Sequence, residues 1–301
     1  MNKTVIVMVV LCLFIGGCAK LKELYQEPKT VRVQDYTGEN YPGTESKEAW
    51  DYIAEHKEEL SEYAIKYYKE GYGLDVKVNN MYPSKRAAIA TVETIKEPFI
   101  RATIIMQLNK KEGMQLVYGV YETQMETDKS ILCGLYYMAF EEEFKNLETF
   151  MKRQAEQYPI TGTPMGVIKN VGYSSYQGEY FYFSTTTLSF PKTYELFMEN
   201  HEVSKEELRA SFLSEIEESK KRYYEDGEGI LPVSMVIEAY MDEAEEPDEK
   251  IAMEILESLK KEENIPYGRY TVLLYGNLVR SDTGGRVSEP VGNRREKYLR
   301  Y

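Results

Sequence analysis

The sequence predicts an α+β protein built as two lobes, each with amphipathic helices packed on a mainly antiparallel sheet. Two patterns predict this class. Some stretches space their apolar residues as a helix does, and others alternate them as a strand does, with four strand-like segments in succession between two helices. A third observation, a helix-to-strand segment that occurs twice, suggests that the lobes are duplicates.

The chain opens with Lys3, a mostly apolar run from Val5 to Ile15, and Gly16-Gly17-Cys18. A basic start, a short apolar run and small residues before a cut describe a secretory signal. The run falls short of the ~20 residues a membrane-spanning helix needs. The cysteine directly after Ile15-Gly16-Gly17 resembles the lipobox of bacterial lipoproteins. That resemblance implies removal of residues 1–17 and a diacylglyceryl group on the Cys18 thiol, with a plain secretory signal as the alternative. Two acyl chains, at ~0.8 kcal/mol per buried CH₂, hold a protein stably on a membrane. Residues 18–44 read as the lipidated N-terminus and a spacer with scattered charges, prolines and glycines, carrying one short strand at Thr30 to Val33.

The first lobe, residues 45–158, starts with Trp50, Ile53, Leu60, Ala64 and Tyr67 on one side of a helix from about Ser46 to Glu70, which Gly71 and Gly73 stop. Strands follow at Leu74 to Val78, Ala88 to Ile95, Phe99 to Leu108 and Met114 to Glu122, with Lys110-Lys111-Glu112-Gly113 as a hairpin turn. A long helix then has Asp128 as its N-cap, Ile131, Leu135, Met138, Phe140, Phe144, Leu147 and Met151 on its buried side, and Pro159 just past its end.

The second lobe, residues 159–281, begins with strands at Gly166 to Gly172 and Glu179 to Ser189. Ser204 and Glu207 form a capping box for a helix that carries Leu208, Phe212, Ile216 and Tyr223. A strand at Leu231 to Ala239, a helix from Asp248 to Lys261 and a strand at Arg269 to Val279 complete it. Residues 282–301 read as a mobile, polar, basic tail with Arg286, Arg294, Arg295, Lys297 and Arg300. Such a tail either touches anionic lipid headgroups or wall polymers, or is a solvated terminus.

The repeat aligns Glu59 to Leu74 with Glu215 to Ile230, both ending in Tyr-Tyr-x-x-Gly-x-Gly, at Tyr67-Tyr68 and Tyr223-Tyr224. Further on, Arg101 to Met106 resembles Arg269 to Leu274. Glycine suits a helix C-terminus whatever the ancestry, so the motif reads as architecture rather than as a ligand site.

Beyond Gly17 lie 284 residues, in which 36 Lys and Arg stand against 50 Asp and Glu for a net charge of −14. Such a body repels phosphate backbones, and no nucleic-acid partner is expected. With Cys18 acylated, Cys133 is the one remaining thiol, and its apolar surroundings read as a buried helix face.

The two histidines, His56 and His201, sit among polar residues. No Gly-x-Ser-x-Gly elbow, Walker loop, Gly-x-Gly-x-x-Gly fingerprint or His-Glu-x-x-His occurs, so no catalytic residue, cofactor or metal ligand is assigned. The acidic run from Asp242 to Glu249 lacks the spacing of a calcium loop. Among 27 tyrosines, the cluster Tyr173, Tyr176, Tyr180 and Tyr182 beside Phe181 and Phe183 is a candidate binding surface. The same alternation also fits a strand with one buried face.

The lipobox, the stretch Gln34-Asp35-Tyr36-Thr37-Gly38-Glu39-Asn40-Tyr41, the stretch from Tyr72 to Val78 and Glu97-Pro98 together resemble an uncharacterised lipoprotein family of Gram-positive bacteria, a DUF1672-like domain of unknown function. The resemblance implies lipidation at Cys18 and carries over no catalytic residue. The chain therefore reads as a lipoprotein on the outer face of the cytoplasmic membrane that binds an unknown protein, peptide or wall partner, without a cofactor. The alternatives are a carboxylate-based hydrolase acting on cell-wall material, and an assembly role within a membrane complex.

Overall fold

The structure, a computed structural model, describes residues 29–39, 47–84, 87–109, 115–120, 124–171, 175–225 and 231–292. The chain is α+β. Its first sheet is an antiparallel meander in the order β2 (Val76–Ser84), β3 (Ala87–Thr94), β4 (Arg101–Asn109) and β5 (Gln115–Val120). Helices α1 (Lys47–Glu55) and α2 (Lys57–Tyr72) precede it, as two helices meeting at His56 where the sequence predicted one. Gly73 caps α2 with a left-handed φ of 66°, and its N–H donates to the Lys69 carbonyl. That conformation carries no steric penalty only in glycine.

The predicted long helix is likewise two, α3 (Gln124–Ala139) and α4 (Glu141–Gln157), meeting at Phe140. Asp128 lies inside α3 rather than at its N-cap and accepts a 2.6 Å hydrogen bond from the Tyr194 hydroxyl. Ile131, Leu132, Cys133, Leu135 and Tyr136 on α3 are all fully buried. A helix apolar on every side has neighbours on every side. α3 packs on β4 of the first sheet and on two strands of the second.

The second sheet runs β10 (Arg269–Tyr275), β9 (Ser234–Met241), β8 (Phe181–Ser184) and β7 (Tyr176–Gln177), with β6 (Ile160–Thr161) also on β9. β9 and β10 are parallel, joined through the helix α8 (Glu249–Leu259), whose N-cap Asp248 accepts from the Lys250 and Ile251 amides. The predicted strand from Gly166 to Gly172 is instead the helix α5 (Met165–Val171), whose buried Val167, Ile168 and Val171 sit at one-, three- and four-residue spacings. The helix α6 (Pro191–Glu199) was not anticipated. The capping box forms at the head of α7 (Lys205–Glu225): the Glu207 amide donates to the Ser204 hydroxyl, and the Glu207 carboxylate accepts from the Ser204 amide and hydroxyl.

One hydrophobic core joins both sheets, from Ile53 and Tyr68 through Phe144 and Phe183 to Leu274. The sheets are not superposable in topology. β2 is an edge strand with β3 between it and β4, whereas β9 is interior and pairs directly with β10. A helix precedes a strand at both places, α2 before β2 and α7 before β9, and residues 226–230 of the second copy lie outside the described residues.

The first and last described segments pack on the body. Within the segment read as a spacer, β1 (Thr30–Arg32) pairs antiparallel with β11 (Leu278–Arg280), and Val33 and Tyr36 enter a second small core with Val167, Val171, Tyr240, Tyr275 and Val279. Within the segment read as a mobile tail, Arg286 ion-pairs with Glu238, a residue 3 % exposed on β9, and Val291 bridges to Leu274. The last nine residues of that tail, 293–301, are outside the described residues.

Candidate functional site

A cleft of about 350 Å³ opens where the two sheets meet across α3. β2, β3 and β4 contribute Lys77, Glu93 and Arg101; the 95–100 connection contributes Ile95 and Phe99; α3 and β7 contribute Tyr137 and Tyr176. No linear motif could mark it, because these residues meet only through tertiary packing.

The 95–100 connection is pinned at its base. The buried Thr94 hydroxyl donates to the Pro98 carbonyl at 2.7 Å and accepts from the Ile100 amide at 2.9 Å, and the Thr94 amide donates to the Ile100 carbonyl. The Glu97-Pro98 peptide bond is cis. α3 approaches so closely that a Cβ on Gly134 would stand 2.6 Å from Ile100 Cγ1 and 3.1 Å from the Phe99 carbonyl oxygen. Held this way, the connection buries Ile100 and leaves Ile95 64 % and Phe99 50 % exposed.

The opposite wall is aromatic. Tyr137 and Tyr176 stack with centroids 4.2 Å apart, and the Arg101 guanidinium lies 6.0 Å from the Tyr176 ring. Arg101 also donates to the Gln177 carbonyl at 3.1 Å and pairs with Glu93 at 3.4 Å, so one side chain ties β4 to β7.

Two acids of the cleft, Glu93 and Glu141, are held ionised. Burial works against the Glu93 charge, but hydrogen bonds from Lys77 and Asn79 and the nearby charges of Lys77 and Arg101 outweigh it and keep its carboxyl below the usual range. Hydrogen bonds from Lys205 and Lys145 do the same for Glu141. Lys169 on α5 lines the cleft with an exposed side chain.

The four tyrosines of the predicted binding surface do not form one surface. Tyr176 lines the cleft; Tyr180 is buried; Tyr182 is half-buried on the face that carries Glu238 and Arg286; Tyr173 lies outside the described residues. The alternation in β8 holds, with Phe181 and Phe183 buried and Tyr182 and Ser184 on the other face. Cys18 also lies outside the described residues. Cys133 is fully buried, and burial pushes its thiol up to about 11. His201 contacts the Tyr72 carbonyl at 2.8 Å, a structural contact that closes the end of α2. Among the described residues no group of three or more His, Cys, Asp or Glu could hold a metal ion, and no helix is long and apolar enough to cross a membrane.

A family profile described as "Protein of unknown function (DUF1672)" matches residues 23–298. The chain belongs to the DUF1672 family. No curated protein matches it. A crystal structure of a DUF1672 family protein from Staphylococcus aureus subsp. aureus Mu50 is similar at a TM-score of 0.70 and 18 % identity, covering 88 % of this chain and 97 % of that one. At that identity the likeness extends to the fold, so the DUF1672 architecture of two sheets is common to both proteins.

Proposed function

We propose that this DUF1672 protein is held by lipid on Cys18 at the outer face of the cytoplasmic membrane and acts by binding a protein or peptide segment in the cleft between its sheets. The observation that carries this reading is the rim formed by Ile95 and Phe99, two large apolar side chains kept in solvent by a connection pinned at both ends, beside the Tyr137 and Tyr176 stack. Exposed apolar groups gathered at a concave site favour a binding surface, and aromatic anchors supply most of the energy at such surfaces. Eleven residue steps lead from Cys18 to Lys29, the last residue before β1. At no more than ~3.6 Å per residue they reach about 40 Å, which keeps the body close to the membrane.

The hydrolase alternative needs one carboxyl held protonated as general acid beside an ionised one. In the cleft Glu93 and Glu141 are both stabilised as anions, which favours binding over that chemistry. The test is quantitative mass spectrometry of what co-purifies with the intact protein from crosslinked cells, compared among the native chain, Cys18→Ser and Phe99→Asp. A species lost with both variants supports the proposal. A profile unchanged by Phe99→Asp contradicts it.

A further inference from the structure

Most cations of the body have carboxylate partners: Lys69 with Asp75, Arg209 with Glu143, Arg153 with Glu262. Arg222, in the last turn of α7, and Arg269, the first residue of β10, do not. Neither side chain makes an ion pair or hydrogen bond among the described residues, and both are exposed. Two acids on α7 before Arg222, Glu215 and Glu218, have other partners among the described residues. Glu218 pairs with Lys192 at 2.6 Å. Glu215, 3 % exposed, accepts from the Lys192 and Thr193 amides and from the Thr193 hydroxyl at 2.6 Å, and so caps α6.

Both arginines line one cleft of about 380 Å³ at the opposite end of β8 and β9 from β6. Its wall carries Ser184 and Ser234, cross-strand neighbours, and Ser219 from α7. These three hydroxyls also lack hydrogen-bond partners among the described residues. Leu188, 87 % exposed, stands at the rim with Leu231 and Pro232.

We propose that this cleft is a binding site for a phosphoryl group carried on a small organic body, with Arg222 and Arg269 as the anion clamp and Ser184, Ser219 and Ser234 as additional donors. The count of donors selects the anion. Each guanidinium offers a planar fork of N–H groups, and three hydroxyls add one donor each. A carboxylate, with about four lone-pair sites, leaves part of this set unmatched, whereas a phosphoryl group presents three strongly accepting oxygens. Bare phosphate would leave much of the cleft empty, and the apolar rim provides contact for a carbon skeleton. In a chain with net charge −13, an anion reaches these two arginines more readily because Glu218 is paired with Lys192 and Glu215 is held by the α6 amides.

The experiment is isothermal titration of the intact chain, in a non-ionic detergent, with inorganic phosphate, glycerol 3-phosphate and monomeric dihexanoyl phosphatidylglycerol. Saturable binding of either organic phosphate is expected, at least tenfold tighter than inorganic phosphate. Arg269→Gln should weaken it tenfold or more, and Arg222→Gln/Arg269→Gln should abolish it without changing the melting temperature. Tighter binding of the glycerol ester assigns a soluble source, and tighter binding of the phospholipid assigns a headgroup. Absence of saturable binding by both esters, binding no tighter than that of inorganic phosphate, or unchanged binding in the double variant overturns the proposal.

Discussion

Tyr137 and Tyr176 lie face to face, with ring centroids 4.2 Å apart and planes 13° from parallel. This contact joins α3, whose residues fill the middle of the core, to β7 at the edge of the second sheet, and it forms one wall of the cleft. Full truncation of a buried aromatic costs ~3–5 kcal/mol, and stacked pairs add ~0.5–1.5 kcal/mol beyond area. Because Tyr176 is only partly buried, Tyr176→Ala is expected to destabilise by about 2–4 kcal/mol, at the lower part of the truncation range. Tyr176→Phe, which keeps the ring, should stay within about 1 kcal/mol of the native chain, since only a hydroxyl is lost. Urea unfolding of both variants checks this.

Gly134 marks the point where α3 and the 95–100 connection touch, against the Ile100 side chain and the Phe99 and Ile100 backbone. Overpacking of a tight core contact costs ~1–3 kcal/mol. Gly134→Ala should therefore destabilise by about 2 kcal/mol, although alanine is the better helix former by ~1 kcal/mol at an unconstrained position. A stabilised Gly134→Ala protein would show that the close approach is wrong.

Arg286 is the partner of a carboxylate that is almost wholly buried, and it also lies 5.0 Å from the Tyr275 ring. Breaking a fully buried pair costs ~3–5 kcal/mol because the remaining charge is stranded; the partial exposure of Arg286 lowers this to about 2–3 kcal/mol for Arg286→Met. Adding Glu238→Gln removes the stranded charge and should restore most of the loss. Thermal unfolding of the two single variants and the double variant measures the coupling.

Glu93 contributes a pH dependence with a defined sign. Its folded pKa lies below the usual carboxylate value, so its stabilising contribution is fully present above the unfolded pKa, near 4.3, and is lost as pH falls through the folded value. Glu93→Gln should flatten the stability profile in that acidic window. At neutral pH it should also cost stability, because Lys77 and Arg101 lose their partner. An unchanged acid limb in denaturant titrations from pH 3 to 7 would count against the ion-pair cluster.

Cys133 should resist thiol reagents in the native state. Its thiol is fully buried, faces the Phe183 carbonyl, and is pushed up to about 11. Labelling mapped by mass spectrometry is expected at Cys133 only under unfolding conditions.

Much of the secondary structure was legible because it rests on local chemistry. The Ser204 and Glu207 capping box, the helix start near Asp248, the Gly73 stop and the alternation about Phe181 and Phe183 each announce a structure that forms. α5 reads as a strand because Val167, Ile168 and Val171 form an apolar run too short to display helical spacing, although Thr163-Pro164 ahead of it is a helix-start signal. α6 carries a local signal, Pro191 at its first turn followed by Tyr194 and Phe197 three residues apart. The docking of β1 on β11 was hidden because partners some 250 positions apart leave no local pattern. The cleft was hidden for the same reason, since Lys77, Arg101, Tyr137 and Tyr176 converge only when both sheets close on α3, and of these only Tyr176 stood out as an aromatic near others.

Site-specific photo-crosslinking in living cells decides whether the cleft binds a partner. A benzoylphenylalanine is placed at position 99, with the same group at Leu213, an exposed apolar position on α7 outside the cleft, as control. Binding in the cleft predicts a discrete adduct from position 99, absent from position 213 and lost when Ile95→Asp is added to a protein whose melting temperature is unchanged. Equal adducts from both positions, or an adduct indifferent to Ile95→Asp, would contradict it.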